Sequence, residues 1–325
     1  MALFRWGFGR RRAADGPALD PSFGDEALAV MLRQAAAGDW AALRQGLAGV
    51  TDAAELTWVL SALADVRGVE TWISRAVEAE PGSALPLLLS GARHVSWGWE
   101  ARTRASARDV SREQWEVFHR RLAVAEEQLY EAAEREPDLL APWYFLQISG
   151  RGTSLDREAA TYRFEAALRR CPGHLDSHRQ RLQQLCEKWG GSHEEMHAFA
   201  DGAVRAAPEG SPLGELVALA HLERWLSLEG GAAGSAYLNT PAVREELHEA
   251  ARRSVLHPDY PRPRGWKGAL NTFALAFSLS GQPEAARLMF ERIGTTVTER
   301  PWMHLSGDPA EAFRRHRDAA AAAAR

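Results

Sequence analysis

Cysteine is nearly missing from this chain: Cys171 and Cys186 are the only two in 325 residues, and both fall in segments that read as helix. A disulfide framework and a cysteine-rich metal site are therefore excluded, and a reducing interior suits the pair. Long apolar runs are missing too. The longest charge-free stretch, Gly268 to Pro283, is shorter than the roughly 20 apolar residues of a membrane span and contains Asn271 and Gln282. No transmembrane span is expected. An excess of positive charge is also lacking: 39 Lys and Arg stand against 43 Asp and Glu, a formal charge of −4. That excludes a chain built to coat nucleic acid by bulk attraction, and no nucleic-acid partner is expected. The N-terminus, MALFRWGFGRRR, sets Phe4, Trp6 and Phe8 beside Arg5 and Arg10 to Arg12 without an apolar stretch after the arginines. It does not read as a secretion signal, and a cytoplasmic location is the expectation. Residues 1–22 read as a flexible basic and aromatic tail, the alternative being a segment that rests on an anionic membrane surface.

What is present is helix. Hydrophobic residues make up 46% and charged residues 25%, which rules out wholesale disorder. From about Asp25 onward the chain is rich in Ala, Leu, Glu and Arg, with apolar residues at helical spacing. Trp115, Phe118, Leu122, Ala125, Leu129 and Ala132 lay one stripe along a helix of about six turns. Start signals stand where the stripes need them: Ser111 with Gln114, Ser192 with Glu195, Asp308 with Glu311, and Thr240 followed by Pro241. The expectation is an all-α protein.

A longer period runs through it. Small or apolar residue, apolar residue, Ala and Pro recur at fixed offsets in Val69/Ile73/Ala76/Pro81, Ala125/Leu129/Ala132/Pro137, Ala160/Phe164/Ala167/Pro172 and Met196/Ala200/Ala203/Pro208. A weakened fifth copy ends at Pro258. Pro137 to Pro172 is 35 residues and Pro172 to Pro208 is 36, close to the roughly 34-residue period of a two-helix repeat. These spacings resemble the second helix of a tetratricopeptide repeat. The resemblance reaches a first helix in the last unit, where Leu270, Phe273, Ala274 and Phe277 precede Ala286, Phe290 and Ile293. The family's first-helix Gly and Tyr are mostly absent, so the repeat is a divergent one. Lys188-Trp189-Gly190-Gly191-Ser192 is similar to a turn in actinobacterial proteins of this helical-repeat type. The resemblance implies a tetratricopeptide-like α-solenoid of stacked antiparallel helix pairs over 23–300, with a C-terminal helix and Ala-rich tail over 301–325. It also implies a concave face lined by first helices.

Two insertions interrupt the period. Arg93, His94, Trp97, Trp99, Glu100, Arg102 and Arg104 lengthen a first helix; aromatics mixed with arginines suit a recognition surface, or else cover an over-long helix pair. Glu229 to Asn239, with Gly230, Gly231 and Gly234, reads as a mobile connecting loop. The expected function is non-catalytic: a module or adaptor that binds a protein or peptide partner, one bearing acidic groups or a carboxylate, in its groove. Candidate contacts are His178, Arg181 and Lys188 along one helix edge, Phe145 and Ser149 one unit earlier, and Trp97, Trp99 and Arg102 as anchors. No cofactor is expected.

One motif points elsewhere. His193-Glu194-Glu195-Met196-His197 matches H-E-x-x-H, which on a helix places two imidazoles one turn apart to grip Zn²⁺ while the Glu polarises the bound water. Its resemblance is to zinc metalloproteases, with Glu215 as the available third ligand. The same letters serve packing: Ser192 caps the helix, Glu194 and Glu195 face its positive end, and Met196, Ala200 and Ala203 are the repeat positions. The zinc hydrolase stands as the alternative to the adaptor, as does a membrane-peripheral role for the tail.

Overall fold

The computed structural model describes residues 17–103, 107–305 and 307–323, and there the chain is all-α: sixteen α-helices and two strands of two residues each. The aromatic and arginine residues of the first twelve positions, and Arg104, lie outside the described residues. No described helix is long and apolar enough to cross a membrane. The chain forms two compact units that divide between Arg181 and Leu182, whereas the sequence places its boundaries at 22 and 300.

The first unit holds α1 (Glu26–Ala37), α2 (Trp40–Ala48), α3 (Ala53–Ala64), α4 (Ile73–Ala79), α5 (Ala84–Arg102), α6 (Arg112–Arg135), α7 (Ala141–Gly152), α8 (Arg157–Arg170) and the start of α9 (Leu175–Gln184). Side chains of Asp25, Asp39, Asp52, Ser83, Ser111 and Asp156 accept from the first-turn N–H groups that a helix leaves unpaired. At Ser111 the expected capping box is complete, with Gln114 reaching back to the Ser111 N–H. α3, α5 and α7 pack on one another; α6 lies against α5 and α7, and α8 against α7. Gly91 and Gly98 let α6 close on α5, since a Cβ at these positions would approach Leu129 to 2.9 Å and Leu122 to 3.2 Å.

The second unit gathers the end of α9, α10 (His193–Ala206), α11 (Glu215–Ser227), α12 (Gly231–Leu238), α13 (Pro241–Arg253), α14 (Lys267–Leu279), α15 (Pro283–Ile293) and α16 (Pro309–Ala323). Residues 17–24 belong with it, and β1 (Ala18–Leu19) pairs in parallel with β2 (Thr296–Val297). α11 packs on α10, α12, α13 and α14, while α14 packs on α13, α15 and α16. Trp302 and Phe313 are fully buried with ring centroids 5.3 Å apart, and Phe290 meets Phe313 at 5.1 Å, so α16 closes the end of this unit.

The recurring Pro acts as the spacing requires. After α4, α6, α8 and α10 a single residue, Glu80, Glu136, Cys171 and Ala207 respectively, separates the helix from a Pro, and all four have left the helical region with ψ of 61, 85, 91 and 150°. The proline ring disfavours helical backbone in the residue before it. The glycine-rich stretch at 229–239 corrects the expectation of a loop, because most of it is α12. Gly230 turns the chain at φ +68°, and Gly234 lets α12 lie directly on Trp225, whose Cδ1 would be 2.7 Å from a Cβ there. The glycines serve close approach rather than mobility.

Candidate functional site

The residues that mix arginine with tryptophan converge where α5 ends and α6 begins. α6 has 24 residues and α7 only 12, so α6 is about 36 Å long against about 18 Å. α7 stops at Gly152, beside Phe118 and Leu122, and α6 runs on beyond that level to Arg112. Gln114 Nε2 donates to Ala101 O at 3.1 Å and ties this tip together. On it, the Arg121 guanidinium lies 3.6 Å from the centre of the Trp97 ring and donates to Trp97 O at 2.7 Å. Arg102 lies 5.6 Å from the Trp115 ring and 5.9 Å from Trp99, and Trp115 stacks on His119 at 5.5 Å. Burial lowers the pKa of both arginines from its ordinary value, so these cations are incompletely solvated.

Under the tip sits a buried charge network. Arg93 is wholly inaccessible; its Nε meets Glu70 at 2.7 Å, and its Nη1 meets Glu100 at 2.7 Å and Ala64 O at 2.9 Å. Burial pushes the Glu70 carboxyl up, and the hydrogen bond and charge of Arg93 together with the backbone N–H groups of Gly68 and Glu70 outweigh it, leaving it below the usual range. Half-buried Asp65 is pushed up to about 6 by burial, against a hydrogen bond from Ser96. The network fixes α5 to the end of α3 and the turn that follows it.

The structure separates the sequence-derived contacts. Trp99 is buried edge-on against Phe118 and covers the helix pair, while Trp97 and Arg102 are half-buried, each with part of its side chain at the surface. Phe145, Ser149 and His178 are interior rather than groove-facing. Ser149 donates to Glu126 at 2.7 Å, which also holds Arg163, and His178 bonds His174 O at 2.9 Å with its ring edge-on to Phe164. Arg181 is half-buried and donates to Thr161 at 3.0 Å. Lys188 is exposed, belongs to the second unit, and pairs with Glu223 at 2.6 Å. His178 and Arg181 stand on α9 in the first unit, whereas Lys188 lies beyond the end of α9 in the second.

The H-E-x-x-H residues take separate partners. Ser192 caps α10 as expected, accepting from Glu195 N–H at 3.1 Å. His193 Nε2 lies 3.0 Å from Glu187 and 3.2 Å from Ser227 Oγ. His197 packs its ring 4.8 Å from that of His221 and reaches the Tyr237 hydroxyl at 3.4 Å. Glu215 is buried and accepts from Thr272 Oγ1 at 2.6 Å. Among the described residues no group of three or more His, Cys, Asp or Glu is placed to hold a metal ion. Glu194 is fully exposed at the helix start, where backbone N–H bonding and Ser192 hold its pKa down.

Sequence reasoning missed the group that does assemble here. Tyr237 O–H bonds His221 Nδ1 at 2.7 Å, and His221 Nε2 meets Glu246 at 2.9 Å. Burial, then repulsion from His197, brings the His221 pKa down to about 3, so its imidazole is neutral. Tyr237 lies in the stretch read as a loop, which hid it. No family model matches the chain, and no curated protein matches it in a sequence search.

Proposed function

We propose that the chain is a cytoplasmic, non-catalytic helical-repeat protein of the tetratricopeptide type whose first unit captures an acidic peptide segment. The observation that carries this reading is the tip of α5 and α6: Trp97 and Arg102 each partly at the surface, Arg121 held against Trp97, and no carboxylate of the described residues within ion-pair distance of Arg121. Arginine and tryptophan side chains that are partly desolvated before binding are the groups that dominate protein interfaces. Two guanidiniums on an aromatic platform match carboxylates in geometry and charge. Support for the repeat comes from the row of α3, α5 and α7, and from the four helices that a single residue separates from a Pro. Both cysteines are thiols that no disulfide joins, which suits a reducing compartment.

Selection of displayed peptides on the full chain tests the reading. Acidic segments are expected to be enriched, and Arg102→Glu is expected to weaken their binding by at least about tenfold with an unchanged unfolding midpoint. Enrichment of no acidic consensus, or equal binding by the variant, overturns it.

A further inference from the structure

The second unit contains a cleft of about 370 Å³ between the end of α13 and the start of α14, lined also by Arg292 from α15. Its walls combine three kinds of chemistry. Val255 and Leu256 are apolar, Tyr260 and Trp266 are aromatic, and His257, Arg262 and Arg292 are basic. No acidic side chain lines it among the described residues. The sequence from 252 to 267 foreshadows this balance, with Arg252, Arg253, Arg262, Arg264 and Lys267 against a single acid, Asp259.

The cleft is built before any ligand arrives. Ser254 Oγ donates to Ala250 O at 2.5 Å, Leu256 N–H to Ala251 O at 2.9 Å, His257 N–H to Ser254 O at 2.8 Å and Tyr260 N–H to His257 O at 3.1 Å. Gly210 supports the loop from below: its N–H donates to Arg253 O at 2.8 Å, and at φ +80° it leaves room that a Cβ would take, 3.0 Å from the Asp259 backbone. Pro258, Pro261 and Pro263 restrict the rest of the wall. Arg292 Nη1 donates to Val255 O at 2.8 Å, which anchors the guanidinium at the rim, and Arg262 lies 5.2 Å from the Trp266 ring. Neither arginine pairs with a carboxylate among the described residues.

From this arrangement we propose that the cleft binds a small organic phosphate carrying a flat ring, such as an aryl phosphate or a nucleoside monophosphate. The volume falls in the range of small-molecule sites, and the lining is the mixture of apolar surface with a few convergent polar groups that such sites use. The anchored guanidinium of Arg292, the exposed one of Arg262 and the His257 imidazole match a dianion better than a monocarboxylate. The rings of Trp266 and Tyr260 supply the surface for a planar group. This inference concerns the other unit and does not depend on acidic-peptide capture.

Isothermal titration of the full chain with phenyl phosphate, adenosine monophosphate, inorganic phosphate and benzoate provides the test. The two ring-bearing phosphates are expected to bind at least about tenfold more tightly than inorganic phosphate or benzoate. Arg262→Gln, at an exposed side chain whose contact is the Trp266 ring, is expected to weaken them about tenfold or more. Trp266→Leu is expected to erase their advantage over inorganic phosphate. Absence of binding by both ring-bearing probes overturns the proposal, as does equal affinity for phosphate with and without the ring, or full affinity in Arg262→Gln.

Discussion

The tip of α5 and α6 and the cleft after α13 both set arginine against tryptophan, yet they are supported in opposite ways. The tip rests on buried charge, with Arg93 enclosed between Glu70 and Glu100. The cleft rests on backbone hydrogen bonds and three prolines, and its arginines reach it from the rim. A charge network holds its position as a unit, because removing one member leaves the others buried and uncompensated. A proline-restricted loop holds by small, separable increments. The same surface chemistry should therefore fail abruptly in one region and gradually in the other.

The largest expected effect breaks the tip. Arg93→Met keeps most of the side-chain volume and strands two carboxylates, so a loss of about 3–5 kcal/mol is expected in urea unfolding. The contrast sharpens if Glu70→Gln and Glu100→Gln are added to Arg93→Met, because the orphaned charges are then gone and most of the loss should return. A triple variant no more stable than Arg93→Met would assign the loss to packing, and the tip would then resemble the cleft in its support.

Acid offers an intermediate effect that belongs to the unit containing the cleft. His221 is held neutral with a pKa of about 3, below the 6.5 of an unfolded histidine. Between these values the unfolded chain binds a proton that the folded chain refuses, so stability rises with pH across this window and is lost as pH falls through it. Glu246, 2.9 Å away, offsets part of the cost of protonation, which leaves about 1–2 kcal/mol lost from pH 7 to pH 4.5. His197, in the same unit, is shifted the same way by burial and adds to the slope. In His221→Phe the pH dependence of the unfolding free energy over pH 4.5–7 should be shallower. An unchanged slope would show that His221 titrates alike in both states.

Much of the scaffold was legible in the sequence, because its signals are local. A Pro ends a helix through the residue before it, and Ser111 caps one three residues ahead of Gln114; neither needs knowledge of distant chain. The stripe from Phe118 to Ala132 is buried where its period places it, with Trp115 half-exposed at its start. The over-long helix that carries Trp97 and Arg102 was also legible, since its surplus length and composition set it apart. What was hidden depends on partners far along the chain. Arg93 reads as one more surface cation until Glu70 and Glu100 enclose it, and Ser149 as a groove hydroxyl until Glu126 and Arg163 bury it. His178 stands on the expected helix, but its ring turns inward to His174 and Phe164. At 229–239, glycine as a breaker of helices and glycine as a spacer against Trp225 are the same letters, and only the neighbouring helix decides between them.

The smallest expected effect probes the cleft. Pro261→Ala and Pro263→Ala remove no hydrogen bond of the loop except for Trp266 N–H to Pro263 O, which an alanine carbonyl can still accept. Their cost arises in the unfolded chain, which gains freedom that folding must then remove, about 0.4–1 kcal/mol for each. If the cleft is preformed, the same freedom also loosens the loop around a ligand, and affinity for phenyl phosphate should fall by a few-fold in the double variant while peptide binding at the tip stays as it was. Because the two regions lie in different units, a loss confined to phosphate binding identifies loop ordering as its source. Loss of both binding activities together would instead show that the tip and the cleft share one support, and the contrast between buried charge and stiffened backbone would no longer hold.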